Sequence, residues 1–334
     1  MSLRGITKRF GTVAAAEDVS FDVFGGEVVG FLGPNGAGKT TTMRILACYI
    51  APDSGSATVA GHDIRDEALE VRRRIGYLPE SAPLYLDLSV SEHLSFIAEL
   101  RGIRGREAVA RIGRMIDVCG LADVVHRDVG ELSKGYRQRV GLACTLVHDP
   151  DVLILDEPTT GLDPSQIVEV RELVKRIGRE KTVILSTHIL PEVEAVADRV
   201  VIIADGRIRA SGTPDQLSRA AAGSRALRVS LRAPEARALE ALSALAQDGD
   251  ARKMSDDADG FATYRVAGGD LASLSDAVYE LAREQDWPLR ALSQESAGLE
   301  SVFLRLAMRD PVDEGDGAGA RGFPTARREE DGRP

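Results

Sequence analysis

Gly33-Pro34-Asn35-Gly36-Ala37-Gly38-Lys39-Thr40 follows an apolar run, Glu27 to Leu32, and leads directly into a helical stretch. A short apolar strand, a glycine-rich turn closing on Gly-Lys-Thr, and a helix together form a phosphate cradle. The glycines let backbone N–H groups converge on phosphate oxygens, and the following helix directs its positive end at them. Lys39 is placed to reach the terminal phosphates. Thr40 is placed to ligate Mg²⁺, with Thr41 beside it. The stretch reads as a nucleotide triphosphate site.

Two further runs, Val152 to Leu155 and Thr182 to Leu185, read as buried strands, and each ends in residues able to do chemistry. Ligands gather beyond the carboxyl ends of strands in open α/β sheets. The first run delivers Asp156 and Glu157, two adjacent carboxylates that need different roles. Asp156 is expected to hold Mg²⁺ through water, and Glu157 to polarise an attacking water as general base. The second delivers His188, placed to contact a γ-phosphate. Apolar strands alternate with amphipathic segments through the first two thirds of the chain, as expected of α/β units on a largely parallel sheet. Helical periodicity is clearest over Ser91 to Leu100 and Glu107 to Cys119, within an inserted helical subdomain at about 85–144. Asp205-Gly206 predicts a hairpin within Arg199 to Ser211.

The first domain is expected over 1–217. A smaller one over 226–308 orders its elements as strand, helix, two strands, helix, strand and a last helix, the pattern of a ferredoxin-like α+β domain. The tail over 311–334 is rich in Gly, Pro and charge and is expected to be disordered. Among 334 residues, 43% are hydrophobic and 28% charged, enough for a sizeable core in a soluble protein. A net charge of −10 argues against bulk nucleic acid as the main partner. Three cysteines match neither a zinc site nor a disulfide framework. No secretory signal is expected, and no run approaches the roughly 18 apolar residues of a membrane span, so any membrane role requires a partner.

Leu132-Ser133-Lys134-Gly135-Tyr136-Arg137-Gln138, a short distance before the carboxylate strand, resembles the signature motif of ABC ATPases. Read alone, it is also an ordinary helix start capped by Ser133. With the cradle and the strand-end carboxylates, the resemblance covers nearly the first 220 residues. It looks closest to bacterial exporters that include drug-export and gliding-motility ATPases, and Gly298 to Leu304 resembles the closing helix of their small domain. The resemblance implies a P-loop NTPase fold, ATP and Mg²⁺ as cofactors, and a dimer with itself or a related ATPase subunit. In that dimer Ser133 and Gly135 cap the γ-phosphate held by the partner. It further implies Gly161, Leu162 and Asp163 in a dimer-facing loop and Phe10 stacked on adenine, although a lone aromatic there equally suits core packing. An integral membrane permease completes the expected assembly, at the cytoplasmic face of the bacterial inner membrane. Its contact is expected on Glu80 to Leu88, through Leu84, Tyr85 and Leu86. A soluble ABC ATPase acting on ribosomes or nucleic acid is the rival, but it would pair two cassettes in one chain or insert a long coiled coil.

Two departures from the family pattern stand out. Glu80 replaces the usual glutamine, so a carboxylate joins Asp156 and Thr40 as an expected Mg²⁺ ligand and adds negative charge beside the γ-phosphate. Lys134 and Tyr136 replace the commoner Gly and Gln of the signature, while the Ser and Gly that carry the phosphate contacts are kept.

Overall fold

The computed structural model describes residues 1–221, 226–246, 249–257, 259–295 and 303. The expected tail over 311–334, and the Gly298 to Leu304 segment apart from Phe303, lie outside the described residues. The chain divides into two compact units between Pro214 and Asp215. The expected first boundary lay slightly later, at 217. Pro214 opens a helix, Pro214–Ala221, and the division falls at its first residue.

The first unit contains two sheets. Strands β1 (Ser2–Phe10), β2 (Val13–Asp22), β4 (Ser54–Val59) and β5 (His62–Asp63) form an antiparallel sheet in the order β2-β1-β4-β5. This sheet was not foreseen, because its strands bury one face only and their alternation is interrupted by bulges between Leu3 and Arg9. The second sheet has the order β10-β9-β3-β8-β7-β6. It comprises β3 (Val28–Leu32), β6 (Ile75–Leu78), β7 (Val152–Asp156), β8 (Thr182–Thr187), β9 (Arg199–Ala204) and β10 (Arg207–Gly212). The first five run parallel, and β10 returns antiparallel to β9 through Asp205-Gly206. All three expected apolar strands are present: β3 starts one residue later and ends at Leu32 as expected, while β7 and β8 extend one and two residues into the chemistry at their ends.

Both faces of this sheet are covered, so its strands read as continuous apolar runs rather than alternating ones. Within β7, Val152 and Ile154 pack with the antiparallel sheet and helix α1 (Lys39–Leu46). Leu153 and Leu155 pack on the other face with α6 (Pro164–Gly178) and the helical segment. That segment consists of α3 (Val90–Leu100), α4 (Gly105–Cys119) and α5 (Lys134–Leu146), with α2 (Ala68–Arg74) preceding it. Ser89 and Glu92 close a reciprocal capping box that starts α3. Helix α7 (Leu190–Val196) follows β8, and α8 is the Pro214–Ala221 helix at the division.

The second unit has β11 (Ala226–Leu231), α9 (Glu235–Leu245), β12 (Ala251–Asp256), β13 (Ala262–Ala267), α10 (Leu271–Glu284) and β14 (Leu289–Glu295). Its sheet order, β12-β13-β11-β14 with every neighbour antiparallel, is the ferredoxin-like arrangement. Leu227, Val229, Leu231, Tyr264 and Val266 pack against Ala238 and Leu242 of α9 and Leu274 and Val278 of α10. Leu153→Ala removes a fully buried side chain from the centre of the parallel sheet and should lower stability by about 2–5 kcal/mol, read as an earlier urea midpoint with an unchanged slope.

Candidate functional site

Strand β3 ends at Leu32, and the next six residues turn tightly into α1. Gly33 donates its N–H to the Thr187 carbonyl at 3.3 Å, tying the turn to β8, and Gly206 donates to the Ala37 carbonyl at 3.2 Å, tying it to the β9–β10 hairpin. Two glycines are obligatory for steric reasons. A Cβ on Gly33 would meet the Ile203 carbonyl oxygen at 2.4 Å, and one on Gly38 would meet that of Ala15 at 2.1 Å. Gly38 also holds φ at +100°, a conformation that suits glycine. Lys39 opens α1 but curls back, donating from Nζ to the carbonyls of Gly33 at 2.9 Å and Pro34 at 3.1 Å.

Strand β7 places Asp156 and Glu157 beside this turn. Asp156 is fully buried. Its Oδ1 accepts from the Ser186 hydroxyl at 2.6 Å and the Thr40 hydroxyl at 3.2 Å, while its Oδ2 is buried with no partner. Burial pushes its acidity toward higher pKa, against the pull of those two hydroxyls. A buried carboxylate oxygen with no donor, next to a threonine hydroxyl, is the donor set a Mg²⁺ ion and its waters require. The residues fit the metal.

Glu157 lies in the left-handed region at φ 48°. Non-glycine residues seldom adopt that conformation, and it persists where surrounding contacts determine it. Those contacts are dense. The Glu157 N–H donates to the Ser186 hydroxyl and carbonyl, each at 3.1 Å. The side chain accepts from Thr160 Oγ1 at 2.8 Å and pairs with Lys39 Nζ at 3.0 Å and His188 Nδ1 at 2.9 Å. Burial raises its pKa, but the Thr160 and Lys39 hydrogen bonds and the Lys39 and His188 charges outweigh it, so the carboxyl is held below the ordinary range. An ionised carboxylate only accepts, so His188 Nδ1 carries the proton it shares with Glu157.

These groups line a cleft of about 440 Å³ formed by Ala15, Asn35, Gly36, Gly38, Lys39, Thr40, Thr41, Glu80, Glu157, Thr160 and His188. The backbone of Gly33, Pro34 and Ala37 shapes the same turn, and Asp156 lies beneath it. Glu80 is thus brought to the cleft. Phe10 is not among the lining residues. It is 53% exposed near the β1–β2 turn, which rules out core packing, and the Lys8 ammonium sits 5.7 Å from its ring centre. Ser133 caps α5 by accepting from the Tyr136 N–H at 3.4 Å, with Gly135 buried against Gln166; neither lines this chain's cleft. Asp163 caps α6, accepting from the Gln166 N–H and the Ser165 hydroxyl, and these hold its carboxyl below the usual range. Sequence reasoning did not single out Thr160, Ala15 or Ser186. Ala15 and Ser186 reach the site from other parts of the chain, whereas Thr160 meets Glu157 three residues away in the turn after β7, which no motif marks.

The two carboxylates give opposite pH signatures. Asp156 has a raised folded pKa, so its contribution to stability is present below the unfolded value and lost as pH rises through the folded one. Glu157 has a depressed folded pKa, so its contribution is present above the unfolded value and lost as pH falls through the folded one. Glu157→Gln should therefore cost stability at neutral pH, by about 1–3 kcal/mol, with the deficit closing in acid, whereas Asp156→Asn should cost little or nothing at neutral pH. Urea midpoints of both variants across an acid-to-neutral series measure this.

Residues 16–160 match the family described as ABC transporter. The Nod factor export ATP-binding protein I of Burkholderia orbicola (strain AU 1054) is 33% identical over 316 residues, covering 94% of this chain and 98% of that protein. The probable multidrug ABC transporter ATP-binding protein YbhF of Escherichia coli (strain K12) is 40% identical over 213 residues, 64% of this chain but only 37% of that relative's length. A dimeric ATP-binding cassette, solved in a post-hydrolysis state bound to ADP and Pi, aligns with a TM-score of 0.58 at 25% identity, covering 64% of this chain and 97% of the other. A glycine turn pinned by three strands, a lysine paired with a strand-end glutamate, and near full-length kinship with an export ATP-binding protein agree: the chain belongs to the ABC transporter family, among its ATP-binding proteins.

Proposed function

We propose that the chain is the ATP-hydrolysing subunit of an exporter, and that two such subunits close on ATP beneath a separate membrane permease at the cytoplasmic face of the inner membrane. The observation that carries this reading is the meeting of Lys39, Glu157 and His188 in one cleft. The signature residues of the same chain, Ser133 and Gly135, are absent from the lining of that cleft and are left for a partner's. The export direction follows the names of the relatives. No helix among the described residues is long and apolar enough to cross a membrane, so passage of cargo belongs to the permease. Tyr85 and Leu86, 56% and 52% exposed, are our candidate permease contact. Tyr85 is braced edge-on by Phe96 at 5.3 Å and His93 at 5.7 Å.

The residues divide the work. The cradle N–H groups and Lys39 bind the phosphates, and Thr40, Asp156 and Glu80 would hold Mg²⁺, which supplies charge neutralisation on the phosphate oxygens. Lys39 now rests on two carbonyls and on Glu157. Turning its ammonium toward a phosphate removes from Glu157 one hydrogen bond and one positive charge that depress its pKa, which makes the carboxylate a stronger base. His188 retains its bond to the same carboxylate and keeps it oriented. Proton abstraction is thereby favoured once the phosphates are bound. Closure of two subunits, with Ser133 and Gly135 of each covering the other's nucleotide, shifts the permease between orientations because ATP binds the closed state more tightly.

Glu157→Gln should retain ATP binding, lose roughly 10²–10⁴-fold in turnover, and accumulate an ATP-bound dimer seen by light scattering. Normal turnover in that variant removes Glu157 as the base. In Mg²⁺ titrations of ATPase activity, Glu80→Gln should shift the half-saturating concentration relative to wild type; coincident curves would remove Glu80 from the metal's ligands.

A further inference from the structure

The second unit's sheet packs α9 and α10 on one face, so strand alternation turns the intervening residues to the other. On that face the register sets Arg252 opposite Arg265, Arg265 opposite Arg228, and Arg228 opposite Ser293. Three arginines stand in one row across three adjacent strands. The next row is made of hydroxyls: Ser255 opposite Thr263, and Thr263 opposite Ser230. On the other side of the arginines, Ala226 faces Ala267. Arg228, Arg252, Ser255 and Ser293 are exposed.

Like charges directly opposite one another destabilise a sheet, and the row is only partly neutralised. Arg265 pairs with Asp250 at 2.9 Å, and the Ser230 hydroxyl donates to Asp257 at 3.3 Å. Neither Arg228 nor Arg252 has a hydrogen bond or ion pair from any described residue. Folding therefore gains nothing from setting Arg228 and Arg252 on this face, whereas an anion laid across it gains both, beside an Arg265 already held by Asp250. Planar forks beside hydroxyl donors match phosphate oxygens better than a single carboxylate, which offers fewer acceptors. Neighbouring strands are about 4.8 Å apart, so the row extends over roughly 10 Å, the scale of a short phosphate chain. No aromatic residue stands in either row, so the stacking platform of a single-stranded nucleic acid reader is missing. The acidic balance of the whole chain also disfavours long polyanions.

We infer that the sheet face of the second unit turned away from α9 and α10, centred on Arg228 and Arg252 with Arg265 between them, is a binding site for a small oligophosphate anion, separate from the nucleotide cleft of the first unit. It extends the protein's chemistry beyond the ATPase reading and does not depend on it.

Inorganic tripolyphosphate is the probe, titrated calorimetrically into the full-length chain carrying Lys39→Ala, which weakens the cradle as a competing site. The expected result is one equivalent bound with an affinity that falls as salt rises, and a loss of at least about tenfold when Arg228 and Arg252 are both replaced by alanine. The double variant should unfold at the same temperature as its parent or higher, since like charges have been removed. Absence of binding at low ionic strength, or binding indifferent to the two arginines, would overturn the proposal. So would binding seen only after shortening the chain at Met308, which would assign the face to the acidic run Asp310 to Asp316.

Discussion

Parallel pairing of β3, β8 and β7 in a single register is the constraint on which the site depends. Leu32 stands opposite Thr187, and Asp156 opposite Ser186, so three strands from distant parts of the chain end on one line. The phosphate turn, the carboxylate pair and the histidine then emerge side by side without any loop reaching for them. A slip of one residue would turn every side chain of a strand to the opposite face, and the two faces pack against different close-packed neighbours, so packing holds the register. The same packing that forms the core therefore fixes the chemistry, and the glycines of the turn are forced by the carbonyls of Ile203 and Ala15 lying against them.

Adjacent carboxylates on one strand end acquire different chemistry because the backbone separates them. Asp156, the last residue of β7, stays in the sheet and is fully buried with one oxygen unpartnered. Glu157, in the left-handed conformation, leaves the strand and meets three donors. Burial dominates the first and donors the second, so their pKa values move in opposite directions. A cation is welcome at the first and a proton acceptor is prepared at the second. The two roles follow from one change of φ.

Dimerisation fits the same economy of parts. The helix carrying Ser133 and Gly135 is rooted by Val140, Leu142, Ala143 and Leu146 in the core shared with β7, which fixes the signature relative to its own sheet while leaving Ser133 exposed. The signature residues Ser133 and Gly135 do not line their own chain's cleft, and a second subunit supplies them to the other side of the phosphates. The second unit has a core of its own, with α9 and α10 covering one sheet face.

Much of this was legible in the sequence because the deciding features are local. Strand-turn-helix around Gly33 to Lys39, the apolar run into Asp156 and Glu157, the helical periods of α3 and α4, and the element order of the second unit each need only a window of neighbouring residues. The antiparallel sheet was not legible, since its bulged strands break the period that marks them. Nor were Thr160 and Ser186, whose value lies in reaching Glu157 and Asp156. Sequence alone determined which residue types are available to bind phosphate, hold a metal and accept a proton. Only the tertiary structure decided their pairings, their protonation and which of them share a cleft, because those depend on distances across strands that chain order does not contain.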